Sequence, residues 1–593
     1  MTSAWFGLDI ATRGLRAAQT LVDIANQNVA NANTPGYSRQ AADVRATLPY
    51  PIPTFTAGGI PGQLGTGVEV ADIRRARDTF VDYQIRGQLT SQGRWDARRD
   101  ALRQVEAVVN EPSTNGLSSL MTKYWQAWQE VANSPSDTAV RASLIEQGKS
   151  LADAFQNASK QFIQQQRDLD QQVQLTVTDI NSYADQIAQI NLQISQVETA
   201  GMHANDLRDQ RDQLLDKLSQ LVKINYVESS EGSVSVYVGN RQLVDRDKSY
   251  AMQTGVPAGA QFNQVQWAAD GQPVNLQDGK LEGLLEARDS LLQTRLDDLN
   301  TLAGRIIESV NTVHAAGVGL DGMGGVKFFN GTDASNMTVD PLLTGANGTD
   351  HIAAARAFVV SNPPASATYS AAKGDSSNAL ALAELANAVS QRDTSLDPAA
   401  TVLWPGNSIG SATVLGIDLS RAPGGTAYAF SGVSFDPVTS TASINTGSTA
   451  VSGTVTSNLD AGDPTQQIVS FDAGTFRIVL RGSAASTVAS ILANLNGTAA
   501  GTTAAPSTIG DQYGQQVAAL GVASRSAANQ STNQQVLVTQ LQRQRDQTSG
   551  VSLDEETTHL IQYQHAYQAA ARVISVVDQM LDTLINNTGV VGR

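Results

Sequence analysis

Small and apolar residues near the start of the chain fall at Leu8, Ala11, Leu15, Ala18, Val22, Ala25, Val29 and Ala32. The steps alternate between three and four. The same rhythm returns near the end, through Leu553, Leu560, Tyr563, Tyr567, Ala570, Ile574, Val577, Leu581 and Leu584. Sustained three-four spacing holds one stripe of a helix toward a partner helix, as in a coiled coil. Neither stripe suits an isolated helix in water, because most helical stability in proteins comes from packing an amphipathic face. The two ends are therefore expected to pair with each other, with neighbouring copies, or with both.

Between the ends the pattern changes period several times. Residues 1–33 read as one helix, stopped by Asn33-Thr34-Pro35-Gly36, where proline restrains the residue before it and glycine permits a positive φ. Residues 40–70 carry Pro49, Pro51, Pro53, Pro61 and several glycines and read as extended or turn-rich. Helix signals return from about Asp72 to Asn110, with Phe80, Leu89, Leu102, Val105 and Val109 expected to be buried. Tyr124, Trp125 and Trp128 form an aromatic stripe at helical spacing, which reads as core. After a break at Asn133–Asp137 comes the longest helical pattern, from Phe162 through Ile180 and Ile194 to Val197. Gly201 interrupts it, and Leu207, Leu214, Leu218 and Leu221 resume it. Ser233–Val238 alternates with period two and is followed by the turn signal Gly239-Asn240, predicting a small β domain over 225–280. Helix returns over 281–314. The stretch 317–510 is rich in Gly, Ala, Ser and Thr with short β-branched runs, apart from a helical island at 378–385. A last break at Ser549-Gly550 precedes Ser552 and Glu555 in capping-box spacing. The predicted fold is mainly α with β domains: N- and C-terminal helices paired in a coiled-coil-like stalk, a long helical bundle, and β-rich outer domains inserted between helical segments.

With 593 residues the chain exceeds what one core serves, so several domains are expected. We place a terminal helical domain at 1–40 and 550–593, a bundle at 41–224, 281–316 and 511–549, the small β domain at 225–280, a mixed region at 317–394 and an inserted β-rich domain at 395–510. A net charge of -16 argues against nucleic-acid binding, where phosphates favour basic faces. Arg74, Arg75, Arg77, Arg94, Arg98, Arg99 and Arg103 are interleaved with Asp78, Asp82, Asp96 and Asp100, which reads as a solvated helix face with local ion pairs. The absence of cysteine excludes disulfides, thiolate metal sites and cysteine nucleophiles. No run approaches the roughly 18 apolar residues of a membrane span, so no membrane insertion is expected. No cleavable secretory signal is visible either.

Two catalytic strings occur and fail on context. Gly406-Asn407-Ser408-Ile409-Gly410 matches a nucleophile elbow, but Pro405 precedes it and a strand-like run follows where a helix is needed. Gly317–Gly322 matches a dinucleotide fingerprint, but it follows a helix rather than a strand and reads as a turn-rich loop. The five histidines, His203, His314, His351, His559 and His565, make no i, i+4 pair. No catalytic, metal or cofactor site is expected, and no enzyme.

The segment Ile24–Arg39, with Asn26, Asn28, Asn31, Asn33, Thr34, Pro35, Gly36 and Tyr37, resembles the N-terminal signature of bacterial flagellar rod, hook and hook-associated proteins. Gly550–Glu556 running into Leu560–Ile574, together with Asn205–Leu215 and Asn133–Thr138, resembles the hook-associated protein 1 family in particular. The stretch 395–508 matches no pattern of that family. The resemblance implies a ring of copies joining hook to filament, exported through the flagellar type III apparatus and working outside the cell. Implied partners are the hook protein, the second hook–filament junction protein, the export apparatus and a dedicated export chaperone on the C-terminal helix. The assembly interface would then be Leu8, Leu15, Val22 and Val29 with Leu560, Tyr563, Tyr567, Ile574, Val577 and Leu581. Asn31, Asn33, Thr34, Pro35, Gly36 and Tyr37 would redirect the chain out of the interface. At 1.5 Å per residue the two helices would span roughly 37 and 48 Å. Another axial protein (hook or distal rod) and a secreted helical adhesin are the alternative readings.

Overall fold

The computed structural model describes residues 4–49, 64–356, 374–387, 401–402, 408–409, 412–418, 427–446, 449–459, 465–473, 477–495, 498–501 and 508–587. Twelve α-helices lie among them: α1 (Ala4–Asn31), α2 (Thr79–Val109), α3 (Leu117–Asn133), α4 (Thr138–Thr199), α5 (Asn205–Leu221), α6 (Lys280–Glu286), α7 (Leu292–Ala315), α8 (Pro341–Thr344), α9 (Ser377–Glu384), α10 (Val488–Ala493), α11 (Ile509–Ser549) and α12 (Leu553–Asn587). A five-residue π-helical turn, Ala287–Leu291, joins α6 to α7. The chain divides into two compact units. The first comprises Met1–Asp100, Leu169–Ala287 and Ser526–Arg593, the second Ala101–Asp168 and Arg288–Arg525.

In the first unit α1 packs along α12 and against a two-stranded ribbon, β1 (Gln40–Ala46) and β2 (Val68–Arg75). The ribbon pairs antiparallel from Gln40 opposite Arg75 to Ala46 opposite Val68. Residues 72–75 are thus strand, and α2 begins only at Thr79, later than the helical pattern suggested. Val68, Glu69 and Val70 alternate in the same strand, so a period-two signal is present but short. The small β domain is a four-stranded antiparallel sheet, β3 (Ile224–Glu228), β4 (Val234–Val238), β5 (Arg241–Asp245) and β6 (Lys248–Ser249), beside the hairpin β7 (Met252–Gly255) and β8 (Gln264–Trp267). Val234, Val236 and Val238 point inward on alternate positions. Gly239 takes a positive φ of 57° at the turn into β5, a conformation glycine adopts without steric cost.

The second unit is built around aromatic rings. Tyr124 and Trp128 of α3 meet Phe328, Phe329 and His314, with ring centroids 5.4 Å apart for Trp128 and Phe328 and 4.8 Å for Phe328 and Phe329. The aromatic stripe of α3 is core, as its spacing implied. Beyond α9 a nine-stranded sheet runs in the order Thr401–Val402, Thr498–Gly501, Ala427–Asp436, Thr441–Thr446, Thr449–Leu459, Gln466–Asp472, Arg477–Ser483, Ala412–Asp418, Ser408–Ile409. One face packs Phe430, Ile444, Phe471, Ile478 and Leu480 against Val488, Ile491 and Leu492 of α10.

The elbow-like serine, Ser408, pairs with Thr413 in the edge hairpin of this sheet, a site with no strand-to-helix turn. Its neighbours Gly406, Asn407 and Gly410 lie outside the described residues, as do Pro51, Pro53 and Pro61. Gly317 and Val318 form a two-residue strand opposite Arg356 and Ala355, followed by a turn with Gly322 at φ 79°.

Candidate assembly interface and its polar junction

Among the helices of the first unit, α12 carries the longest series of exposed large apolar residues, Leu553, Ile561, Tyr567, Val573, Val576 and Met580. Ala11, Ala18 and Ala25 of the N-terminal stripe are buried, and Leu8, Leu15, Val22, Val29 and Ala32 are half-buried. On α12, Val577 is buried and Leu560, Tyr563, Ala570, Ile574 and Leu581 are half-buried. Leu553 and Tyr567, from the same predicted stripe, stay 48% and 40% exposed. The side chain of Leu584 lies outside the described residues.

A second apolar row was not anticipated. Ala566, Ala569, Val573, Val576 and Met580 follow three-four steps on a face turned roughly 100° from the first, at 3.6 residues per turn. All five are exposed. Val573, Val576 and Met580 are each about half uncovered. Its signal was in the sequence, but the more strongly apolar stripe beside it masked it.

The turn that leaves α1 is built as follows. Thr34 N–H donates to the Asn31 carbonyl (2.9 Å) and Tyr37 N–H to that of Thr34 (3.2 Å), while the Thr34 hydroxyl donates to the Asn31 side-chain oxygen (3.1 Å). Asn33, Thr34 and Pro35 are exposed. Gly36 sits at φ 77°, and a Cβ there would run into the side chain of Gln213 on α5, which donates to the Pro35 carbonyl (2.8 Å). Both the backbone conformation and the close approach require glycine.

At the base of the pair lies a set of buried polar contacts. Asn28, 1% exposed, makes the full complement of an amide. Its oxygen accepts from the Tyr37 hydroxyl and from Gln40 N–H, both at 2.9 Å. Its nitrogen donates to the Gln40 carbonyl (2.9 Å) and to Glu556 of α12 (3.1 Å). Glu556, 2% exposed, also accepts from Arg39 Nε (2.8 Å). The Arg39 N–H takes the carbonyl of Ser549, at the end of α11 (2.8 Å). Ser38 donates through both its N–H (2.8 Å) and its hydroxyl (2.7 Å) to Asp209 of α5.

Asp209 belongs to a wider network. Arg75 bridges Asp209 (2.6 Å) and Asp212 (2.9 Å), and Arg77 bridges Asp82 (2.6 Å) and Asp209 (3.3 Å). Arg86 bridges Asp212 (3.0 Å) and Asp216 (2.8 Å), and Arg545 of α11 closes on Asp216 at 2.8 Å. Burial alone would raise the Asp212 carboxyl. The guanidiniums of Arg77, Arg86 and Arg75 outweigh it and hold the group far below the carboxylate range. Burial, with Asp206, Asp209 and Glu556 nearby, pushes the Tyr37 hydroxyl well above its usual value, so it stays a donor.

This corrects the solvated helix-face reading for Arg75 and Arg77, which are largely covered and paired across elements. Arg74 is exposed with a local partner, Asp72, but on a strand, and Arg99 pairs with Asp96 while also donating to Ser531 of α11 (2.6 Å). Arg94 and Arg98 reach Glu286 of α6 (2.9 and 2.7 Å) rather than local acids. Phe80, expected in the core, is 65% exposed, while Val81 and Ile85 take the buried face. Among the described residues no group of three or more His, Asp or Glu is placed to hold a metal ion. No described helix is long and apolar enough to cross a membrane.

Residues 102–329 match the family described as flagellar hook-associated protein FlgK helical domain. Residues 8–37 match the flagella basal body rod protein family, and 542–587 the C-terminal family of the flagellar basal body rod FlgEFG proteins. The chain is 28% identical to flagellar hook-associated protein 1 of Bacillus subtilis, with 100% of each chain covered. It is 26% identical to that of Escherichia coli, over 97% of this chain and 98% of the other. A solved structure, the flagellar hook junction protein FlgK from Burkholderia pseudomallei, aligns with 79% of this chain and 100% of its own at 20% identity and a TM-score of 0.47.

Proposed function

Because this chain belongs to the family of flagellar hook-associated protein 1, a structural component of the bacterial flagellum, we propose that it is a subunit of the hook–filament junction and that its terminal helices carry the assembly. The match over 102–329 favours this reading over a rod or hook subunit, whose families match only the two ends. The observation that carries the mechanism is the outward row Ala566, Ala569, Val573, Val576 and Met580. In the folded chain the stripe from Leu8 to Val29 faces α12 or the β1–β2 ribbon, whereas this row faces water. Apolar rows at three-four spacing are covered by a second helix, and a neighbouring copy in a ring supplies one.

In this reading Leu8, Leu15, Val22 and Val29 pack with Leu560, Tyr563, Ile574, Val577 and Leu581 inside one subunit. Tyr567 and the second row meet the next copy. The turn Asn31–Tyr37 redirects the chain to the rest of the first unit. The subunit works outside the cell after type III export. Its axial neighbours are the hook protein and the second junction protein, and an export chaperone covers α12 before assembly.

Cells lacking the gene should carry hooks without filaments and shed filament protein into the medium, seen by electron microscopy; normal filaments would overturn the junction role. Val576→Asp in the full chain should reproduce that phenotype with the soluble subunit still folded. Wild-type filaments with Val576→Asp would remove the second row from the interface.

A further inference from the structure

We infer that the buried Asn28–Glu556 pair is a register lock, which selects one of several equivalent alignments of the two terminal helices. This inference rests on the helix pairing that the assembly reading uses, and adds a role for residues outside the apolar stripes.

The argument begins with what the apolar seam cannot do. On α1, positions 8, 15, 22 and 29 are Leu, Leu, Val and Val, and positions 11, 18, 25 and 32 are all Ala. On α12, positions 553, 560, 567, 574 and 581 are Leu, Leu, Tyr, Ile and Leu. Each series repeats every seven residues with near-equivalent side chains. Sliding one helix by seven residues, about 10 Å at 1.5 Å per residue, returns apolar to apolar and small to small. Hydrophobic burial is non-directional and distinguishes these alignments poorly. A seam of this kind gains its alignment from a polar residue at a single core position, at some cost in stability.

Glu556 occupies such a position. It lies in the series 556, 563, 570, 577, whose other members are Tyr, Ala and Val. Its carboxylate is 2% exposed and has Asn28 and Arg39 as partners at 3.1 and 2.8 Å. Asn28 sits in the last turns of α1 and Glu556 in the first turn of α12, so the helices run antiparallel from this point. With all four hydrogen bonds of Asn28 made, any slide removes both partners of a buried carboxylate and leaves an amide donor unmet. That penalty falls on every alignment but one. The competing explanation is that the short connectors, 32–39 and 550–552, fix the alignment by themselves.

The cysteine-free chain makes the test direct. Spin labels at Asp23→Cys and Gln579→Cys, both exposed, report the axial offset of α1 and α12 by pulsed electron resonance on the full chain. The parent should give one narrow distance. Asn28→Leu with Glu556→Leu keeps the seam apolar and should add a population displaced by close to 10 Å. An unchanged single distance in that variant, or a broad distribution in the parent, would overturn the lock. Should the leucine pair fail to fold, the charge pair decides. Asn28→Asp opposes two carboxylates and should broaden the distribution, and adding Glu556→Gln should restore it; no restoration counts against the lock. These distances do not depend on filament formation. Normal filaments in the deletion strain would sink the junction reading and leave the lock standing, and the reverse also holds.

Discussion

Packed among α2, α5 and α11 in the first unit are the guanidiniums of Arg75, Arg77, Arg86 and Arg545, sharing the carboxylates of Asp82, Asp209, Asp212 and Asp216. The corresponding place in the second unit holds the rings of Tyr124, Trp128, Phe328 and Phe329 around a neutral imidazole, His314. Aromatic cores tolerate many side-chain arrangements of similar volume. Ion networks do not, because each bond has a direction and a partner, and loss of one partner strands a buried charge. The unit that anchors the terminal helices is thus the one whose geometry is most tightly specified. Ser38, at the exit of α1, is tied to this network through Asp209.

The largest expected effect breaks the first side of this comparison. Asp212→Ala removes a carboxylate shared by three arginines and should cost about 3–5 kcal/mol. Hydrogen exchange under mild denaturant would read it as lost protection in α5 and neighbouring α2 residues. Loss seen only in α3 and α7 would refute the assignment.

An acid titration sharpens the contrast. Burial lowers the pKa of His314 to about 4, with Nδ1 at 2.7 Å from the Val326 carbonyl and Nε2 accepting from Ala353 N–H. A depressed histidine favours the neutral form in the fold. Its contribution is therefore complete above about pH 6.5 and is lost as pH falls toward 4, on the order of 3 kcal/mol in all. Asp298, raised by burial, works in the opposite direction but only near the carboxylate range. The Asp212 contribution, from a depressed carboxyl, persists above the unfolded value near 3.8 and is lost only below it. Between pH 6.5 and 4.5 protection factors, corrected for the slower intrinsic exchange at lower pH, should fall in the second unit and not in the first. An equal fall in both would erase the distinction.

The smallest effect marks the boundary of the network. Arg74, exposed and paired with Asp72 on its own strand, should tolerate alanine with no measurable change in the urea midpoint. A clear drop would extend the network to the surface.

What the sequence made legible follows from range. The stripe of Ala11, Ala18 and Ala25, the alternation of Val234, Val236 and Val238, and the stop at Pro35-Gly36 are local patterns, and period alone reveals them. The pairing of Arg75 with Asp209 spans 134 positions, and that of Asn28 with Glu556 spans 528, so no local window contains both partners. Phe80 failed for another reason. Its helix turns Val81 and Ile85 inward, and an aromatic residue one step off that face still looks like core from composition. The apolar seam between α1 and α12 was readable as a stripe, whereas its polar anchorage was not.

The 528-position gap between Asn28 and Glu556 also fixes an order of events. Closing a flexible loop of that length costs roughly 5–6 kcal/mol in chain entropy, since the cost grows as (3/2)RT ln n. Once α5 and α11 are in place, the ends of that loop are held within the turn 32–39 on one side and residues 550–552 on the other, and most of the cost has been met. The terminal pair should therefore zip up last, from its base outward. A chain without α12 would leave α1 only the β1–β2 ribbon to pack against in its own molecule, and the stripe that faces α12 would stay open to water.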